Sequence, residues 1–172
     1  MTIKGLGKAK TALIVVSEDK YGKALINITK EAAHDKIVYV TLNKTYSSLV
    51  AMFKKERINL KNIKFIDAIS HKIKDVKNTP DCTFISSPEA ITELSIVVTK
   101  HLEFPFDYVI FDSVTNLLTY ADENTVKKFI EDLAGKVSES STCKAAIFAL
   151  SLKEHKSLIK TLETFVDKVI DI

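Results

Sequence analysis

Three residues in this chain are candidates for phosphate chemistry: Gly22, Lys23 and Asp112. Gly22 and Lys23 close the stretch SEDKYGKA, Ser17 to Ala24, which follows an apolar run from Ala12 to Val16. A strand, a polar loop, Gly-Lys and then an amphipathic segment is the layout of a phosphate-binding loop. Set against the pattern G-x-x-x-x-G-K-[ST], Ser17 stands at the first Gly and Ala24 at the Ser/Thr. Each departure has a physical meaning. The first Gly permits a backbone curl that a Cβ hinders, and the missing hydroxyl is the one that holds Mg²⁺. Glu18 and Asp19 fall inside the expected loop. A carboxylate about 4 Å from a phosphate charge costs about 4 kcal/mol at an effective dielectric of about 20. A simple strand-to-helix turn carrying a solvated lysine is the blander account of the same residues.

Other chemistry-bearing residues are scattered. Glu18, Asp19 and Asp112 would form a metal site if the strand ends brought them together, with surface acids as the plainer reading. His34, His71, His101 and His155 show no HxxxH or HExxH spacing. Cys82 and Cys143 have no CxxC spacing and no secretion signal ahead of them. Two reduced, packed thiols in a cytoplasmic protein are therefore expected. The lysines of KKERINLKNIK, Lys54 to Lys64, read as a solvated face. A nucleic-acid patch is the sharper alternative, but Phe53 and Phe65 sit at core-facing positions rather than between the cations. An acid pair after the first strand, Asp112, and the hydroxyl and lysine of ALSLK (Ala149 to Lys153) evoke a response-regulator receiver. The interval from Asp19 to Asp112 is too long for that fold.

The elements that must position these residues alternate between strand and helix. Apolar runs occur at Ala12–Val16, Ile37–Leu42, Ile63–Ala68, Tyr108–Phe111, Ala145–Leu150 and Val169–Ile172. They are rich in Val, Ile, Phe and Tyr and do not alternate cleanly, as expected of parallel strands buried on both faces. Val126, Phe129, Ile130, Leu133 and Val137 form a helical stripe with Asp122 as its cap. Ser86-Ser87-Pro88-Glu89 reads as another helix start, with Ile91, Leu94, Val97 and Val98 continuing it. Leu49 and Phe53 mark a further helix, and Leu158, Leu162, Phe165 and Val166 the last. Residues 69–87 are the least regular, with His71 to Thr79 read as a loop. The 172 residues are 46% apolar and 27% charged with net charge +3, which fits one soluble globular domain over 1–172. No window of 18 apolar residues predicts a membrane span. The fold class predicted from the pattern is α/β, a three-layer sandwich around a mainly parallel sheet.

The ordered set FIDA (Phe65–Ala68), SSPEAITELSIVV (Ser86–Val98), DYVIFDSVTNLLTY (Asp107–Tyr120), ENTVKKFIEDLAGKV (Glu123–Val137) and FVDKVIDI (Phe165–Ile172) resembles the RecA superfamily. Within it, the set is most similar to the archaeal KaiC/RAD55-like ATPase-related domains. The DYVIFD strand looks like the Walker B strand of that P-loop NTPase-type fold. The resemblance implies the sheet order Ile63–Ala68, Ile37–Leu42, Tyr108–Phe111, Ala145–Leu150, Ala12–Val16, Val169–Ile172.

It also implies a glutamate at the end of the second strand, to activate the attacking water. Asn43 and Lys44 stand there instead. An amide accepts no proton at neutral pH and a lysine already carries one. The resemblance thus implies a pseudo-ATPase with a degenerate Walker A motif. Gly22, Lys23 and Asp112 would be a vestigial nucleotide site, with no catalytic residue, metal or cofactor. Such a domain would regulate or scaffold an active ATPase relative or act in signal transduction, through a protein partner or as a homo-oligomer. The alternatives are a weak ATP-binding ATPase and a nucleic-acid-binding recombination accessory protein.

Overall fold

The computed structural model describes residues 3–151 and 156–172. Seven strands form one all-parallel sheet: β1 (Thr11–Val16), β2 (Ile37–Thr41), β3 (Ile63–Asp67), β4 (Cys82–Phe84), β5 (Tyr108–Asp112), β6 (Ala145–Ser151) and β7 (Lys168–Asp171). Their order is β4-β3-β2-β5-β6-β1-β7. The six apolar runs occupy the order expected of them, and β4 is an added edge strand.

Among the described residues six α-helices connect the strands: α1 (Glu18–Ala32), α2 (Tyr46–Lys55), α3 (Ile91–Leu102), α4 (Val114–Leu117), α5 (Glu123–Glu139) and α6 (Lys156–Leu162). Alternate strand residues serve opposite layers, because successive side chains leave a strand on opposite faces. Ile14, Tyr39, Phe65, Ile110 and Ile147 pack with Leu25 and Ile28 of α1 and Leu49 and Phe53 of α2. Leu13, Val40, Phe111 and Phe148 pack with α3, α5 and α6 through Leu94, Val98, Phe129, Ile130 and Leu158. Both faces are therefore covered, which is why the strands lack an alternating pattern. The α/β three-layer sandwich is the architecture found.

Local signals fared unevenly. Asp122 does cap α5, its Oδ1 accepting from the N–H groups of Asn124 (2.9 Å) and Thr125 (3.1 Å). The helix expected from Ser86 starts later, at Ile91. Ser87 to Ala90 form a turn closed by the Ala90 N–H on the Ser87 carbonyl (3.1 Å), and the Glu93 carboxylate reaches back to accept from the Ser86 N–H and hydroxyl. The stretch read as a loop holds a short 3₁₀ turn at Ser70–Lys72. Phe165 and Val166 lie beyond the end of α6. Among the described residues no helix is long and apolar enough to cross a membrane.

Candidate functional site

Parallel α/β sheets place their ligand sites beyond the carboxyl ends of the strands, and all three candidate residues lie on that side. Asp112 is the last residue of β5 and only 3% exposed. Its carboxylate is held by three side chains. The Tyr21 hydroxyl donates to Oδ1 (2.8 Å), the Tyr39 hydroxyl to Oδ2 (2.9 Å), and the Asn43 amide reaches Oδ1 at 3.4 Å. Burial pushes the Asp112 carboxyl above its ordinary value, against the downward pull of these hydrogen bonds. Burial, followed by the charge of Asp112, holds both tyrosines well above the usual phenol range. They are therefore donors throughout the physiological range.

The neighbouring groups are similarly engaged. The Ser113 hydroxyl donates to the Asn116 side-chain carbonyl (2.6 Å) and accepts from its N–H (3.1 Å), capping α4. Thr41 shapes the turn after β2, its hydroxyl donating to the Lys44 carbonyl (2.7 Å) and accepting from the Lys44 N–H (3.1 Å). That turn brings Asn43 to Asp112 and leaves Lys44 exposed. At the end of β3, Asp67 accepts from the N–H groups of Tyr46, Ile69 and Ser70 and from the Ser70 hydroxyl. It ties the start of α2 to the segment after β3, a structural task.

The loop expected at Ser17 to Ala24 is not a loop. Ser17 alone separates β1 from α1, which is helical from Glu18. Gly22 and Lys23 lie in the second turn, exposed on the outer face of α1. Helix geometry commits amides beyond the first turn to carbonyls four residues back, so they do not form the converging cradle of a phosphate loop. A Cβ built on Gly22 would meet nothing within 4 Å, and its φ is not positive. No steric demand requires glycine at that position.

The structure thus does not join Gly22 and Lys23 to Asp112. It joins Tyr21 instead. Tyr21, Leu25, Ile28 and Ala32 fall at i, i+4, i+7 and i+11, the inward stripe of a helix that begins six residues earlier than the Gly-Lys reading allows. Tyr39, fully buried in β2, gave no sequence signal beyond strand propensity.

The metal set of Glu18, Asp19 and Asp112 is not assembled. The first two are exposed on the first turn of α1, Asp112 is buried, and no described cluster of His, Cys, Asp or Glu suits a metal ion. Both cysteines are free and buried. Burial raises the Cys82 thiol far above its usual range and pushes that of Cys143 to about 11, neither suited to nucleophilic work. The receiver alternative fails on the seven-strand sheet and its order. Its lysine, Lys153, lies outside the described residues, as does His155.

A model of a family of unknown function, DUF7504, matches residues 12–172. No curated protein matches. Among solved structures, the KaiC-like protein PH0186 from the hyperthermophilic archaeon Pyrococcus horikoshii OT3 superposes with a TM-score of 0.64 at 12% identity, covering 94% of this chain and 71% of that one. At this identity the likeness is one of fold, and it agrees with the RecA/KaiC-like architecture expected from the sequence.

Proposed function

Because this chain belongs to the DUF7504 family and shares its fold with a KaiC-like protein, we propose that it is a non-catalytic RecA/KaiC-like domain. It works as a regulatory or scaffolding protein through a protein partner or a second copy of itself. One observation carries the reading. The Asp112 carboxylate, at the position of a Walker B acid, is occupied by Tyr21, Tyr39 and Asn43 on its own chain. A side chain bonded in this way offers little to a hydrated Mg²⁺ ion. Two further features agree with it: the immediate start of α1 after Ser17, and Asn43 and Lys44 where a water-activating carboxylate is needed. The turn after β1 is then a remnant of a Walker A loop. Phosphoryl transfer depends on positioning and charge stabilisation by all these parts together.

The test is phosphate release and thermal shift with Mg²⁺-ATP. No turnover is expected, and any nucleotide-dependent rise in Tm should be the same in Lys23→Ala as in the native protein. The double variant Ser17→Gly/Ala24→Thr should also stay at background, because general-base assistance worth about 10²–10⁴-fold would still be missing. Steady turnover by the native protein, abolished by Lys23→Ala, would reverse the reading in favour of a weak ATPase. Affinity capture from native cell extract, followed by reconstitution with the purified partner, would identify what it regulates.

A further inference from the structure

The opposite, N-terminal edge of the sheet carries a groove of about 430 Å³, within the range of small-molecule sites. Three of its walls come from residues just before or at the start of β2, β3 and β5. Lys36, Lys61 and Lys64 supply positive charge, and His101, Phe104 and Phe106 supply rings. Phe104 is 62% exposed, one of the few large apolar side chains left in water among the described residues. The His101 and Phe106 rings lie 6.1 Å apart beside it, and His101 is fixed by donating Nδ1–H to the Val97 carbonyl (2.8 Å).

The lysines lining this groove offer positive charge to an anion. Lys64 is tied to the Pro80 carbonyl and the Asp81 carboxylate, both at 2.8 Å, which holds one wall in place. Lys144 bridges the nearby acids Asp35 and Asp107, at 3.1 and 3.0 Å, and offsets one of their two charges. Lys61 makes no ion pair with any described carboxylate, and Lys36 has none within 4 Å, its charge acting on Asp107 from farther off. Lysines act as point charges suited to phosphate, whereas planar carboxylates are best met by arginine forks. An exposed ring beside unpaired lysines is the arrangement on which bases stack while phosphates are neutralised.

We propose that this groove binds a nucleotide unit, with its base stacked on Phe104 and its phosphate held by Lys36 and Lys61. The unit comes either from a free nucleotide or from a single strand. The assignment is independent of the reading of Asp112, which lies at the other end of β5.

The measurement is fluorescence anisotropy of a labelled oligothymidine about ten nucleotides long, with AMP as competitor, across a salt series. Binding should weaken at least about fivefold in Phe104→Ala, the lower bound for losing one stacked base. The double variant Lys36→Gln/Lys61→Gln should lower the magnitude of the log–log salt slope by about 0.7, the value for one phosphate contact on a single strand. Lys23→Gln, at the far edge, should change nothing. All four side chains are exposed, so unchanged melting curves are expected to accompany these results. Displacement by AMP assigns the groove to free nucleotides, and binding that survives excess AMP assigns it to a strand. The proposal is overturned if neither probe binds at about 50 mM salt, if Phe104→Ala and the lysine pair bind like the native protein, or if Lys23→Gln abolishes binding.

Discussion

Asp112 holds a charge in a place nearly closed to water, and its hydroxyl donors make that tolerable. Tyr39 is the more critical, because it is fully buried and no water can replace it, while Tyr21 is half-buried. Tyr39→Phe should lower stability by about 1.5–3 kcal/mol near neutral pH, the usual worth of a hydrogen bond to a charged group. Tyr21→Phe should cost less. The pH dependence has a definite sign. Burial raises the folded-state pKa of Asp112 above its unfolded value. Between the two values the folded protein holds a proton that the unfolded chain has lost, so stability falls as pH rises through that window. The tyrosine bonds pull the pKa down, so removing one widens the window. The deficit of Tyr39→Phe should therefore be largest near neutral pH and shrink as pH falls toward the ordinary carboxylate range. Urea denaturation of both proteins between neutral and mildly acidic pH checks this, and a deficit that ignores pH would show that the bond does not serve the charged carboxylate. Asp112 itself was legible from DYVIFD, an apolar run ending in an acid. Its partners were not, since Tyr39 looks like any strand aromatic and the Gly22-Lys23 pair places Tyr21 in a loop.

Among the elements, α1 decides how the site is read. A glycine followed by lysine suggested a loop ending at residue 23, yet the inward stripe from Tyr21 to Ala32 extends the helix back to Glu18. Gly22→Ala discriminates between the two structures. In an exposed helical turn with open space for a Cβ, alanine should stabilise by about 0.5–1 kcal/mol, seen as a rise in Tm of about 1–4 °C. In a curled phosphate loop the same change would destabilise, so a fall in Tm would restore the loop. The long apolar strands were readable to within a residue or two at each end because burial on both faces fixes their composition. β4 was not, for a physical reason. Cys82–Phe84 is only three residues long, and its strand character comes from pairing with Phe65 to Asp67, a contact distant in sequence. The start of α3 lies later than the sequence suggests because Pro88 suits a turn as well as a helix's first residue. The basic groove was half legible. Lys61 and Lys64 stand in the lysine-rich run KKERINLKNIK, but their aromatic companions, Phe104 and Phe106, arrive from the segment before β5.

In the whole molecule, the two layers of helices share one set of strands, and this determines how it comes apart. β1, β2 and β6 are buried along nearly their whole length, and β5 along most of it. Each sends alternate side chains into the two core clusters. Removing either layer would expose half of every central strand, so neither layer should survive without the other, and one cooperative transition is expected. The tyrosines make this testable. Four of the five, Tyr21, Tyr39, Tyr46 and Tyr108, belong to the cluster under α1 and α2, and Tyr120 alone packs on the other side. With no tryptophan in the chain, near-ultraviolet circular dichroism therefore reports mainly on one layer. The far-ultraviolet signal draws on both, including the 12- and 17-residue helices α3 and α5 opposite. The two signals should fall together on heating, at a midpoint that EDTA leaves unchanged. Loss of the tyrosine signal ahead of the helical one would mean that the α1–α2 layer detaches by itself. A drop in the midpoint with EDTA would mean that a metal ion, rather than shared strand burial, holds the layers together.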